Sequence, residues 1–391
     1  WSPNGKRIWF LSTRTASSQV WQIPVNGGEA RQFTDLPLDT ANLVVSPDGQ
    51  HIAFTMEVFV DSTIEETKER LDDYEKKKTS GMIFEKTFIR HWGTWKDGRR
   101  SHLFVMPVSG GKPVDIMKGV DADTPSKPFG GPEEITFSPN GKEIVYSARV
   151  AQNSEPWSTD FDLYRVPVDG SQNPRCITTK NKAWDTGPVF SNDGKTLAYL
   201  AMARPGYESD RFRIVLYDWK TGKKQTLTEK WNRSADDICW ASDDETIYTT
   251  AMNLGQHSLF AIDVKSGLVE TVVKNGFITS PSIADGRIIY AMDNLKSPVE
   301  LYSVNPDGTD IKAITKLNLA NVSAARMGDY EQFTFEGWND EQVYCYVVKP
   351  IDFDKNKKYP VAFLIHGGPQ GSFGNHFHYR WNPQVYAGAG Y

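Results

Sequence analysis

The strongest chemical signal in the 391-residue chain is the run His366-Gly367-Gly368-Pro369-Gln370-Gly371-Ser372. It follows Val361-Ala362-Phe363-Leu364-Ile365, five apolar residues bounded by proline and glycine. Such a run reads as a buried parallel strand. Glycines directly after a buried strand let the backbone approach a substrate carbonyl. A main-chain N–H can then point at the oxygen that becomes negative when the carbonyl is attacked. One such donor is worth about 3–4 kcal/mol of transition-state stabilisation. The plainer reading of the same residues is a glycine-rich turn.

An oxyanion donor needs a nucleophile. The matching arrangement is a G-x-S-x-G elbow, then an acid, then a histidine, in that chain order. No G-x-S-x-G occurs in these residues, and Gly371-Ser372 is no elbow, since Gln370 stands where the first glycine of the pattern should be. His366, His376 and His378 come too early in the order to act as the base. His376 and His378 read as structural or mouth-lining. With no acidic or cysteine partner nearby in sequence, metal ligation is not expected of them.

The elements that must position this loop announce themselves as a repeat. One motif recurs at Ser2-Pro3-Asn4-Gly5, Ser46-Pro47-Asp48-Gly49, Ser138-Pro139-Asn140-Gly141, Ser191-Asn192-Asp193-Gly194, Ser242-Asp243-Asp244 and Ala284-Asp285-Gly286. A short apolar strand follows each, which is a strong hairpin signal. A second motif alternates with it, a strand ending in a glycine turn: Val20 to Gly28, Leu103 to Gly111, Leu163 to Gly170, Ile214 to Gly222, Leu259 to Gly267 and Leu301 to Gly308. A further short strand follows each and often ends in threonine, as at Thr34, Thr178, Thr228 and Thr315. Four antiparallel strands per 40–50 residues predict β-propeller blades. A β-sandwich with similar turns is the alternative.

The predicted fold is therefore mainly β. Residues 1–316 form a β-propeller with six repeats visible and seven or eight expected in the full protein. Residues 317–391 form the first strands of an α/β-hydrolase domain, with Phe333 to Phe335 and Val343 to Val348 as antiparallel strands. Trp1-Ser2-Pro3-Asn4-Gly5 lies in the middle of a repeat, so the chain is expected to be cut at the front, and the missing elbow predicts a cut at the back.

Strand parity sorts the loops. The Ser-Pro-Asp-Gly and Gly turns share one face of the predicted propeller. The turns between second and third strands share the other, and whatever follows residue 316 should sit against that second face. Its longest loop runs from Glu57 to Ser101. Ser62-x-x-Glu65 reads there as a capping box opening a helix to Lys78, with Glu66/Arg70, Asp72/Lys76 and Asp73/Lys77 pairs. Phe88, Arg90, His91, Trp92, Trp95, Arg99 and Arg100 follow. Trp92 and Trp95 would line a substrate passage or pack beneath the helix. The fourth repeat carries Arg204-Pro205-Gly206-Tyr207-Glu208-Ser209-Asp210-Arg211 in the equivalent place.

Composition narrows the classes. Lys plus Arg number 44 and Asp plus Glu 49, a net charge of −5, which argues against a nucleic-acid backbone binder. No apolar run approaches a membrane span. Cys176, Cys239 and Cys345 form no C-x-x-C, so neither a zinc site nor a disulfide framework is expected.

Arg90-His91-Trp92-Gly93-Thr94-Trp95, Arg204 to Glu208, Gly255-Gln256-His257, Gly328 to Phe333, and His366 to Ser372 with Asn375 and His378 to Asn382 together resemble the prolyl oligopeptidase family of serine peptidases. The resemblance covers essentially the whole chain. It implies a Ser-Asp-His triad that lies beyond Tyr391, no metal or organic cofactor, and a propeller that screens substrates by size. It also implies short peptide substrates, release of N-terminal dipeptides through an acyl-enzyme, and a fragment inactive by itself. Gly368 would supply one oxyanion N–H, with Gly367 beside it at the substrate. The substrate ammonium needs a carboxylate, and Glu208 beside Tyr207 is the candidate. The competing reading pairs Glu208 or Asp210 with Arg204 or Arg211. Two other functions stay open: a non-catalytic propeller that docks partner proteins, and an acylaminoacyl peptidase or esterase. A periplasmic or secreted setting is expected, with the cytoplasm as alternative, and a homodimer is left open.

Overall fold

The computed structural model describes residues 1–391 apart from 92 and 369. It divides into two units, residues 1–210 with 214–226, and residues 211–213 with 227–391.

The repeats fold as antiparallel sheets. The first sheet holds Arg7–Thr15, Ser17–Pro24 and Arg31–Gln32. The second holds Ala41–Val45, His51–Val58, Arg100–Pro107 and Val114–Asp115, and the third Ile135–Phe137, Glu143–Ala148, Asp162–Pro167 and Arg175–Cys176. The fourth holds Asp185–Phe190, Thr196–Ala201, Arg213–Asp218 and Lys224–Thr226. In the second unit, Cys239–Trp240, Thr246–Asn253, Gln256–Asp263 and Val269–Val273 form the fifth sheet. Phe277–Ala284, Arg287–Asn294, Ser297–Val304 and Lys312–Ala313 form the sixth. The fifth and sixth are joined by one parallel pair, His257 with Phe277. Beyond them, Tyr330–Glu336 pairs antiparallel with Gln342–Val348 in full register.

Two side-chain devices explain the repeat. In the turn, the Ser46 hydroxyl donates to Asp48 (2.6 Å) and accepts from the His51 N–H (2.9 Å). Gly49 closes the turn at φ +67°, a conformation that costs glycine nothing. The same bonds recur at Ser138, Asn140 and Glu143 and at Ser191, Asp193 and Thr196. Just past the outer strand, threonine is a clasp. Thr34, Thr178 and Thr315 accept the N–H of Val20, Leu163 and Leu301 at 2.9, 2.8 and 2.9 Å. Each hydroxyl then donates to the residue just before that N–H: Gln19, Asp162 and Glu300. Main-chain donors and side-chain acceptors are thereby satisfied at the margins of the first, third and sixth sheets.

The second and third sheets are apolar on both faces because neighbours sandwich them. In the first unit Ile52, Phe54 and Met56 pack with Val20, Phe104 and Met106, between the first and second sheets. The intervening Ala53, with Leu103 and Val105, packs against Ile135, Phe137, Ile144 and Tyr146 of the third sheet. Val145 turns the other way, to Leu197, Tyr199 and Val215 of the fourth. In the second unit Tyr248 and Leu259 pack against Ile278, Ile288 and Tyr290. The period-two alternation therefore divides strands such as His51–Val58 and Glu143–Ala148 between two cores.

Two expectations need correction. The helix in the long loop, α1, spans Ile64–Glu75 rather than reaching Lys78. Its capping box is Thr63 with Glu66, one residue later than Ser62 with Glu65. The Ser62 N–H is already used by the Phe59 carbonyl, so the turn takes Ser62 and hands the cap to Thr63. The charge pairs shift as well, to Lys68 with Asp72 and Lys76 with Asp73. Arg70 leaves Glu66 for the Phe59 ring, 3.8 Å from its centroid, and for Asp61.

The second correction concerns residues 361–365. They form no strand, and Val361, Phe363 and Ile365 are 84, 80 and 74% exposed. A parallel strand needs ladder partners and helices over both faces. No described residue pairs with this segment.

Candidate functional site

The glycine loop belongs to the second unit. Gly367 and Gly368 are exposed, and Gly368 adopts φ +139°. A Cβ on Gly368 would lie 2.8–2.9 Å from the backbone of Gln370, so the position accepts only glycine. The His366 ring faces the Gly367 carbonyl at 2.6 Å. Pro369 lies outside the described residues.

Just downstream the chain is fastened to the fifth and sixth sheets. Gly374, at φ +52°, passes so close that a Cβ would sit 2.7 Å from the Gly255 carbonyl oxygen. Asn375 is buried, and its N–H donates to that same carbonyl at 2.7 Å. Its side chain accepts from Leu295 N (3.1 Å) and donates to Gln256 Oε1 (3.0 Å). Asp293, 3% exposed, accepts from His376 Nδ1 at 2.9–3.0 Å and from Phe377 N at 2.8 Å. Phe277 stacks on the rings of both His376 and His257. The Asp236 carboxylate holds the other side of His257. Burial pulls the His257 ring down, but the Asp236 hydrogen bond and charge outweigh it and hold the ring above its usual range. His376 and His378 are thus structural: His378 Nδ1 accepts the N–H groups of Arg380 and Trp381.

The hairpin 330–348 docks on the same tight turn. Gln332 donates to the Leu254 carbonyl at 2.6 Å, and Gln256 donates to the Tyr346 hydroxyl. Gly255 has Gln332 and Tyr346 where a Cβ would be, and Gly328 has the Lys349 carbonyl there. The motifs Gly255-Gln256-His257 and Gly328 to Phe333 meet at this junction, which sits on turns between second and third strands. Strand parity predicted that location.

Arg204, Tyr207, Glu208 and Trp95 belong to the first unit, and Arg211 to the second. Arg204 stacks on Tyr207 at 4.1 Å, and Asp210 caps the loop by accepting the N–H groups of Ala203 and Arg204. Arg211 donates to the carbonyls of Thr228 and Glu229. Glu208 is exposed and has neither an ion pair nor a hydrogen bond among the described residues, while its charge is felt by Arg149. Trp95 is 53% exposed, against Phe84 and Arg90, so it does not pack beneath α1. Trp92 lies outside the described residues.

One buried network in the first unit has no counterpart in the sequence reading. The Arg100 guanidinium bonds Asp121 (2.8 Å), Asp123 (2.9 Å) and Glu155 (2.8 Å), and Lys96 joins Glu155 at 2.9 Å. Burial opposes the charge on Arg100, yet the Glu155 bonds and the Asp123 charge outweigh it and hold the group well above its ordinary range. Burial would likewise raise Glu155, but Arg100 and Lys96 keep its carboxyl below the usual range. The five residues come from three stretches of chain, 96–100, 121–123 and 155, too far apart for any spacing to signal them.

Four-stranded antiparallel repeats thus lead into a glycine loop in which Gly368 is left-handed, the order that the sequence motifs predict. Comparison with known proteins agrees. The chain is 30% identical over 396 residues to dipeptidyl-peptidase 5 of Porphyromonas gingivalis, covering all of this chain and 57% of that protein. The fold matches acylaminoacyl peptidase of Pyrococcus horikoshii with a TM-score of 0.75 at 18% identity, over all of this chain and 55% of that one. It also matches the β-propeller domain of the trilobed protease from Pyrococcus furiosus, with a TM-score of 0.53 at 14% identity over 81% of this chain and 83% of that one. No protein-family model matches the chain. The chain is a homologue of proteins named dipeptidyl-peptidase 5, and the resemblance to the prolyl oligopeptidase family read from its motifs holds. It spans about half the length of the curated relatives it matches.

Proposed function

We propose that the whole protein is a serine peptidase that removes dipeptides from the N-termini of short peptides. The observation that carries this reading is the left-handed Gly368 in the His366 to Ser372 loop, in a chain homologous over its entire length to dipeptidyl-peptidase 5. In this reading residues 317–391 open the peptidase domain. The Gly368 N–H stabilises the tetrahedral oxyanion, and the triad lies in the portion of the relatives that this chain does not span. Fluorophosphonate labelling of the full-length protein with peptide mapping tests it. A labelled serine within G-x-S-x-G supports the reading, and an unlabelled full-length protein overturns it.

Glu208 is the carboxylate we assign to the substrate ammonium, supported by its exposure and its lack of a partner among the described residues. Charge-assisted hydrogen bonds are about twice as strong as neutral ones. Glu208→Gln should therefore raise KM for free dipeptidyl substrates about 10-fold or more. It should leave N-acetylated substrates unaffected. An unchanged KM places the anchor elsewhere, and preferential cleavage of N-acetylated substrates by the wild type points to an acylaminoacyl peptidase.

A further inference from the structure

We infer that Asp293, a residue of the sixth sheet, is a positioning residue for the glycine loop and through it for the Gly368 N–H. The inference rests on the peptidase reading above. Its basis is the fastening of Gly374–Phe377. Both Asp293 carboxylate oxygens are engaged by this short segment, one shared between the His376 ring and the Phe377 N–H. Asn375 adds three more bonds, to Gly255, Gln256 and Leu295. Both anchors are almost fully buried, so water does not compete for their bonds. Phe277 closes the stack over His376 at 4.0 Å.

The fastening begins two residues after Ser372, and five residues lie between Gly368 and Gly374. A backbone N–H that must meet a developing oxyanion tolerates little displacement, since an error of about 1 Å can cost about 100-fold in rate. The Asp293 carboxylate touches no substrate in this scheme. It acts by holding His376 and Phe377, so the downstream end of the loop has one position. The sixth sheet thereby contributes directly to the geometry of the peptidase half, and not only to screening of substrates.

The test uses the full-length protein. Asp293→Ala should lower kcat about 10- to 100-fold with KM changed less than about 3-fold. A dipeptide boronic acid, whose adduct places an anionic oxygen where the oxyanion forms, should lose affinity in proportion to kcat. Asp293→Asn keeps an acceptor for the Phe377 N–H and should fall between wild type and Asp293→Ala. Hydrogen exchange should show the amides of Asn375 and Phe377 released while those of Phe277–Val304 stay protected. Asn375→Ala, which leaves Asp293 in place, should give the same pattern if Asp293→Ala does not fold. Released amides with unchanged kcat overturn the positioning role. Unchanged exchange overturns the fastening itself. If the wild type has no fluorophosphonate-reactive serine, the peptidase reading fails and takes the positioning role with it, while exchange still decides the fastening.

Discussion

Asp185 is the sharpest place to test the energetics of the first unit. It opens the inner strand of the fourth sheet and is fully buried. Asn181 donates to one oxygen at 2.8 Å, and the other meets no donor among the described residues. Thr178 cannot supply one, because its single proton goes to Asp162. Burial, opposed only in part by the Asn181 bond, pushes the carboxyl up from 3.8 to about 7. That displacement corresponds to about 4 kcal/mol of unfavourable ionisation in the folded protein at pH 8. The sign follows from proton counts. Between about pH 4 and pH 7 the folded state holds a proton that the unfolded chain has released, so stability falls as pH rises through this window and levels off above it. Asp185→Asn removes the ionisation and keeps the acceptor for Asn181. Its amide N–H groups find no better partner than the oxygen they replace, a cost of about 1–3 kcal/mol. The net expectation is a gain of about 1–3 kcal/mol at pH 8, and no gain or a small loss at pH 4. Urea midpoints of wild type and variant at the two pH values measure it. An equal difference at both, or a loss at pH 8, would refute the argument that Asp185 is held against its own charge.

Arg100→Met leaves Asp121, Asp123 and Glu155 without their shared cation. It should destabilise the first unit by about 3–5 kcal/mol at pH 7, with the deficit shrinking in acid as the carboxylates protonate, and thermal melts across pH give the readout. Thr178→Val preserves shape but strips the Leu163 N–H of its acceptor and Asp162 of its donor. A loss of about 2–4 kcal/mol is expected from denaturant unfolding, whereas Thr178→Ser, which keeps the hydroxyl, should lose far less.

The parts of the fold that the sequence made legible are those built from consecutive residues. The turn Ser46-Pro47-Asp48-Gly49 contains every atom of its own hydrogen-bond pattern within six residues. Thr34, Thr178 and Thr315 stood out as recurrent strand endings, though only the structure shows why: each satisfies an N–H about fifteen residues upstream. The capping box was off by one because Ser62 and Thr63 are chemically equivalent caps, and the choice between them falls to the Phe59 turn. Arg100 and its partners are separated by 21, 23 and 55 residues, and no pattern rule reaches across such gaps.

At the candidate site the same logic separates Asn375 from Val361. Asn375 sits 119 residues from Gln256 and 80 from Leu295, yet its partners all lie on two tight turns whose positions the repeat had already fixed. Parity assigns those turns to the face met by the later residues, which gives the place of the contact but not the residues that make it. The apolar run 361–365 carried no such address. Its pattern states a demand for cover on both faces, and a demand for cover says nothing about which residues provide it. The loop that follows the run is instead held from its far side, by Gly374, Asn375 and the Asp293 carboxylate. The geometry at Gly368 can therefore be probed through the sixth sheet. If loosening Asp293 leaves Gly368 where it was, the run 361–365 rather than the fastening sets the loop.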